Sequence, residues 1–174
     1  KGNLIGLDIT GYVGIPNGMS CGDGVLIDKG AHYNLIGGPS STERNAISAN
    51  VRYGVHLKGT GTDHNIVSGN FIGTSGLANG SKPNYAGVVI DEGARENTIG
   101  GDTENAGNII SGNRAGSFPY GSGVLIFGEG TAYNRVLGNW IGLDIEGNRS
   151  LRNNVGIVIG GGASHNLIGD TGPA

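Results

Sequence analysis

Gly123-Val124-Leu125-Ile126, Asn134-Arg135-Val136-Leu137 and Asn139-Trp140-Ile141-Gly142 are three short apolar phrases that follow one another between residues 123 and 142. Each is too short for a helix and has the alternation of a strand. All three recur along the chain. The first returns as Gly24-Val25-Leu26-Ile27, Gly54-Val55-His56-Leu57, Gly87-Val88-Val89-Ile90 and Gly156-Ile157-Val158-Ile159. Its five copies start 30, 33, 36 and 33 residues apart. The second begins at Asn34, Asn65, Asn97, Asn134 and Asn166, always 10 or 11 residues after the first. The third begins at Asn3, Asn45, Asn70, Asn108 and Asn139. A fixed period of this size is the signature of a solenoid. Three strands per cycle of about 33 residues describe one coil of a parallel β-helix, whose coils stack ~4.8 Å apart.

Five coils are expected, with glycine and asparagine supplying the positive φ of the corners between strands. The inward residues of the first face are Val25 and Ile27, Val55 and Leu57, Val88 and Ile90, Val124 and Ile126, and Ile157 and Ile159. Ile36, Val67, Ile99, Val136 and Ile168 fill the second face. Ile5, Ile47, Ile72, Ile110 and Ile141 fill the third. A coil cannot bury its apolar side alone, so like residues must stack on like. The phrase-initial asparagines Asn34, Asn65, Asn97, Asn134 and Asn166 are expected to be structural. An amide at a bend can donate and accept along the stack, pairing groups that would otherwise be buried unsatisfied.

A second period overlies the first. The step from second to third phrase alternates between 11 and 5 residues, and equivalent asparagines such as Asn70 and Asn139 lie 69 residues apart. Every second coil carries an extended loop after its third phrase, from Asp8 to Asp23, Thr74 to Ala86 and Leu143 to Val155. These loops are expected to project from one corner. Phrases such as Arg44-Asn45-Ala46-Ile47-Ser48-Ala49-Asn50, Asn108-Ile109-Ile110-Ser111-Gly112-Asn113 and Gly138-Asn139-Trp140-Ile141-Gly142-Leu143-Asp144 resemble right-handed β-helix repeats of the pectate-lyase-like superfamily. The likeness is to the repeat regions of large secreted bacterial surface proteins. It implies an all-β, right-handed parallel β-helix and an extracellular or cell-surface location. It implies little about activity, since that superfamily holds lyases, hydrolases, epimerases, adhesins and plain spacers.

Composition excludes several classes. Glycine occupies 37 of 174 positions, but not every third one, so collagen is excluded. Charged residues are only 14% and isoleucine is frequent, which argues against disorder. No apolar run approaches the ~20 residues of a membrane helix, and no membrane insertion is expected. Eleven basic residues against 14 acidic give a net charge of −3, no footprint for nucleic acid. Cys21 is alone, which gives no disulfide framework, and it reads as an incidental small residue. The chain is expected to be one domain over residues 1–174, either an excerpt of a longer solenoid or one subunit of a filament.

The residues that could carry chemistry are few. Polysaccharide hydrolysis needs converging carboxylates, and Asp91, Glu92, Glu96, Asp102 and Glu104, with Arg95 among them, are the candidates. A solvated corner is the simpler reading. Asp8 and Asp144 occupy matching places where the middle unit has Ser75. A turn needs one side-chain acceptor, which serine also supplies, whereas calcium needs several oxygens. Tyr33, His64, Glu96, Tyr133 and His165 form one column, with His64 and Glu96 expected as neighbours. Two ligands do not make a zinc site, and His32 and His56 stand apart in the sequence.

The outward positions are unexpectedly apolar. Leu26, Val89, Leu125 and Val158 line the first face and Leu4, Phe71, Ile109 and Trp140 the third. Contiguous apolar columns mark contact surfaces, so these eight are the expected interface. Phe71 and Trp140 could also stack on sugar rings. The expectation is a structural or adhesive β-helix segment of an extracellular surface protein or self-assembling filament, without catalytic residues, cofactor or metal. Its partners would be further copies, head-to-tail or lateral, or other parts of a longer chain, with polysaccharide as a second ligand class. A polysaccharide lyase or hydrolase, or a carbohydrate-binding module, is the alternative.

Overall fold

A computed structural model describes residues 2–20, 22–114 and 121–169. In chain order the strands are β1 (Leu4–Ile5), β2 (Val25–Ile27), β3 (Leu35–Gly37), β4 (Ala46–Ile47), β5 (Tyr53–Lys58), β6 (Ile66–Ser68), β7 (Phe71–Ile72) and β8 (Ala86–Asp91). They continue as β9 (Thr98–Gly100), β10 (Ile109–Ile110), β11 (Ser122–Phe127), β12 (Arg135–Leu137), β13 (Trp140–Ile141), β14 (Val155–Gly160) and β15 (Leu167–Ile168). Every third strand joins the same sheet. The orders are β2-β5-β8-β11-β14, β3-β6-β9-β12-β15 and β1-β4-β7-β10-β13, and all pairs are parallel. The chain is a parallel β-helix. Each sheet has five rungs, but passing from the first rung to the fifth completes about four turns, so the expected count of five coils is one too many.

The register puts like on like. Val25, Val55, Val88, Val124 and Ile157 form one ladder, and Ile27, Leu57, Ile90, Ile126 and Ile159 the next. Ile5, Ile47, Ile72, Ile110 and Ile141 align in the third sheet. The middle rungs of all three faces make one apolar core, each fully buried aliphatic contributing about 1.5–3 kcal/mol. Two inward residues differ from expectation. Ile159 and Ile168 are 45% and 44% exposed, because the fifth rung of these sheets has a paired neighbour on one side only. The first-phrase glycines lie at the start of the first-sheet strands. A Cβ on Gly54 would lie 2.7 Å from the Gly87 carbonyl oxygen and from Ile72 Cγ2, so close approach excludes any side chain there.

The three long loops do not simply project. Each folds into a small hairpin, bridged at Leu7–Gly14, Thr74–Ser81 and Leu143–Ser150. The hairpins are hydrogen-bonded to one another across the intervening coil. Gly76 N–H donates to the Gly11 carbonyl (2.9 Å), and Ile145 N–H to that of Ala78 (3.2 Å). The outer side of the third sheet therefore carries an added layer in which Leu7 and Ala78 pack on Ala46, Phe71 and Ile109. This corrects the expectation of open apolar columns. Phe71 and Ile109 are buried, while Leu4 and Trp140 at the ends of their column are exposed. On the first sheet Val89 (0% exposed) and Leu125 (3%) are buried in a second outer cluster with Tyr53 and Ala86. Val158 is half-buried beside it and Leu26 exposed.

Candidate functional site

The hairpin stack and the third sheet together define a groove. Its floor is the outer side of that sheet, where residues two apart share a face. One wall is the hairpin stack, represented by Leu77 and Ile145, and the other is the loop of residues 101–107. A cleft of about 600 Å³ around Trp140, Ile109, Asp102 and Glu104 adjoins one of about 480 Å³ around Leu4 and Ala46. Arg44, Phe71 and Ile145 line both. At their junction the Arg44 guanidinium lies 4.4 Å from the centroid of the Phe71 ring, while Nε donates to the Gly69 carbonyl at 2.9 Å. Burial pulls the Arg44 pKa down, but a guanidinium stays charged at neutral pH. Trp140, 46% exposed, adds an accessible indole at one end.

The groove gathers some sequence candidates and leaves out others. Trp140, Asp102 and Glu104 share it with Phe71, Ile109 and Leu4. The other three carboxylates are engaged elsewhere. Asp91 meets His56 (2.9 Å), Glu92 meets Lys58 (3.0 Å), and Glu96 meets His64 (3.2 Å) and Arg95 (2.9 Å). His64 and Glu96 are thus neighbours, as their column implied. Tyr33 stacks on His64 with ring centroids 4.9 Å apart, and Tyr133 on His165 at 5.1 Å. All five residues of that column have φ of 53–57°, the left-handed corner conformation that disfavours side chains. His32 turns Nδ1 to the Gly30 carbonyl. Among the described residues no group of three His, Cys, Asp or Glu is placed to hold a metal ion. Cys21 lies outside the described residues.

Asp8 and Asp144 cap turns. Asp8 Oδ1 accepts from the N–H groups of Tyr12 and Val13, and Asp144 Oδ1 from those of Asn148 and Arg149. Ser75 Oγ accepts from Asn79 N–H at the matching place. The Val13 amide and then the Thr10 hydroxyl hold the Asp8 carboxyl below its usual range. One acceptor per hairpin suffices, as the serine indicates.

The asparagines form continuous ladders. In Asn34–Asn65–Asn97–Asn134–Asn166 each residue donates both its main-chain N–H and its side-chain amide to Oδ1 of the next, at 2.9–3.1 Å. The amide of Asn97 also donates to the carbonyls of Thr62 and Arg95. Asn3–Asn45–Asn70–Asn108–Asn139 repeats the pattern. A third ladder, Asn17–Asn50–Asn84–Asn113–Asn153, escaped the sequence reading. Its signal was present. These residues follow the third-phrase asparagine by 5 positions in plain coils and by 14 in looped ones, so each hairpin displaces its asparagine by nine residues.

Comparison with known proteins adds no relative: no family model, no curated protein and no solved structure matches this chain.

Proposed function

We propose that this chain is a structural or adhesive segment of an extracellular surface protein or self-assembling filament, built on a β-helix of the pectate-lyase-like kind. The observation that carries this reading is the set of three asparagine ladders. Buried amides that would be free to bind a ligand in another fold are here hydrogen-bonded from coil to coil. The ladders are also polar. Each rung donates toward the next and accepts from the one before, so the donors of the last rung and the acceptors of the first can be met by a further rung. The exposed Ile159 and Ile168 give such a rung an apolar seat, and a head-to-tail contact of this kind propagates. Sedimentation and electron microscopy over a concentration series test self-assembly. Linear multimers are expected, and they should be lost in the Ile159→Lys, Ile168→Lys double variant. A chain that stays monomeric throughout contradicts the filament.

A second reading, carbohydrate binding, is favoured by the groove. An exposed indole, a guanidinium and two carboxylates along one elongated cleft suit a sugar chain better than a compact ligand. Glycan-array binding that disappears in Trp140→Ala supports it. Binding unchanged by that substitution, or binding to no glycan, removes it. Release of reducing ends or of unsaturated products by the wild-type chain would move the reading to an enzyme.

A further inference from the structure

His56 projects from the outer side of β5, in the rung between β2 and β8. Its side chain is 2% exposed. Nδ1 lies 3.2 Å from Asp23 Oδ2, just before β2, and Nε2 lies 2.9 Å from Asp91 Oδ1, at the end of β8. A carboxylate only accepts hydrogen bonds, and a neutral imidazole carries one N–H. Both contacts are hydrogen bonds only when the ring holds two protons. With one proton, a ring lone pair faces a carboxylate in a buried place.

The surroundings fix this arrangement. Asp23 Oδ1 also accepts the Tyr53 N–H at 3.2 Å, and Arg52 Nη1 stands 3.7 Å from Asp23 Oδ2. The Tyr53 ring meets the imidazole edge-on with centroids 4.9 Å apart, and the Arg52 guanidinium lies 4.6 Å from the centroid of the Tyr53 ring. On the β8 side Lys58 pairs with Glu92 beside Asp91. Tyr85 packs on the cluster of Val89 and Tyr53. Among the described residues Asp23, Asp91 and Glu92 face Arg52, Lys58 and His56, so protonation of His56 adds the third positive charge beside three carboxylates.

We propose that Asp23, His56 and Asp91 form a proton-operated clamp across the first three rungs of the first sheet, closed while His56 is an imidazolium and loosened when it is neutral. Burial opposes the charge on His56, yet the hydrogen bonds that the ring donates to Asp23 and Asp91, with the charge of the two carboxylates, outweigh it and raise the pKa above its ordinary 6.5. Burial likewise pushes Asp23 up, but His56, the Tyr53 amide and Arg52 hold it below 3.8. A raised histidine contributes stability that is full below 6.5 and lost as pH rises through its folded value. A depressed aspartate contributes stability that is full above 3.8 and lost as pH falls through its folded value. The clamp is therefore fully closed between these two ordinary values.

Side-chain ¹⁵N NMR of the wild-type chain tests this directly. Both His56 ring nitrogens should carry protons at pH 5.5, with a titration midpoint above 6.5. A neutral tautomer at pH 6, or a midpoint at or below 6.5, overturns the proposal. Thermal melting gives the second arm. The wild-type melting temperature should fall by several degrees from pH 5.5 to 8.5, and His56→Gln should flatten that dependence. His64, which also faces carboxylates in Asp63 and Glu96, is the control: His64→Gln should leave the dependence in place. An unchanged dependence in His56→Gln overturns the clamp, and if that variant does not fold, the wild-type titration decides.

Discussion

Asn97 shows what single residues contribute. It is fully buried, its Oδ1 accepts twice from Asn65, and its amide donates to Asn134 and to two carbonyls. Asn97→Ala leaves several buried groups unpaired, each costing about 1–3 kcal/mol, so a loss of about 3 kcal/mol or more is expected. Asn34 is exposed and at the start of the same ladder, and Asn34→Ala should cost about 1 kcal/mol. Urea unfolding midpoints of the two variants check the contrast, and equal losses would contradict the ladder. The identity of these joints was legible because asparagine opened every second and third phrase. Asn17, Asn84 and Asn153 were not legible as a set, because the hairpins shift them out of the plain spacing. The contact of His56 with Asp23 and Asp91 was hidden for another reason: it runs diagonally across rungs, where a column-by-column reading does not look.

At the scale of elements, the strands and their inward sets follow from periodicity, since a period of two assigns each side chain to a face. Coverage of the outward sets does not. Phe71 and Ile109 are covered by hairpins folded back on the sheet, and Val89 and Leu125 by a cluster with Tyr53 and Ala86. These contacts are not periodic, and an outward position in a solenoid is exposed only if nothing lies over it. The distinction has consequences. Leu125→Lys, at a buried position, should destabilise the fold by about 2 kcal/mol or more, because the ammonium must reach water through packed neighbours. Leu26→Lys in the same column, at an exposed position, should be close to neutral. Melting temperatures of the two variants decide it, and a neutral Leu125→Lys would restore the open column as an interface.

The whole molecule is one continuous stack in which apolar ladders fill the inside, amide ladders tie the bends, and stacked hairpins roof one sheet. Trp140, Arg44, Asp102 and Glu104 share the groove beside that roof, which arises only after the loops fold back. That is why its carboxylates could be named from sequence but not separated from Asp91, Glu92 and Glu96. The buried asparagines join one coil to the next. Hydrogen exchange of the asparagine side-chain amides, followed by NMR in the isolated chain, tests it most directly. The amide protons of Asn65, Asn97, Asn70, Asn108, Asn84 and Asn113 should exchange as slowly as the core backbone, with exchange quickening toward Asn3 and Asn34. Rapid exchange at all six, in a folded chain, would contradict it.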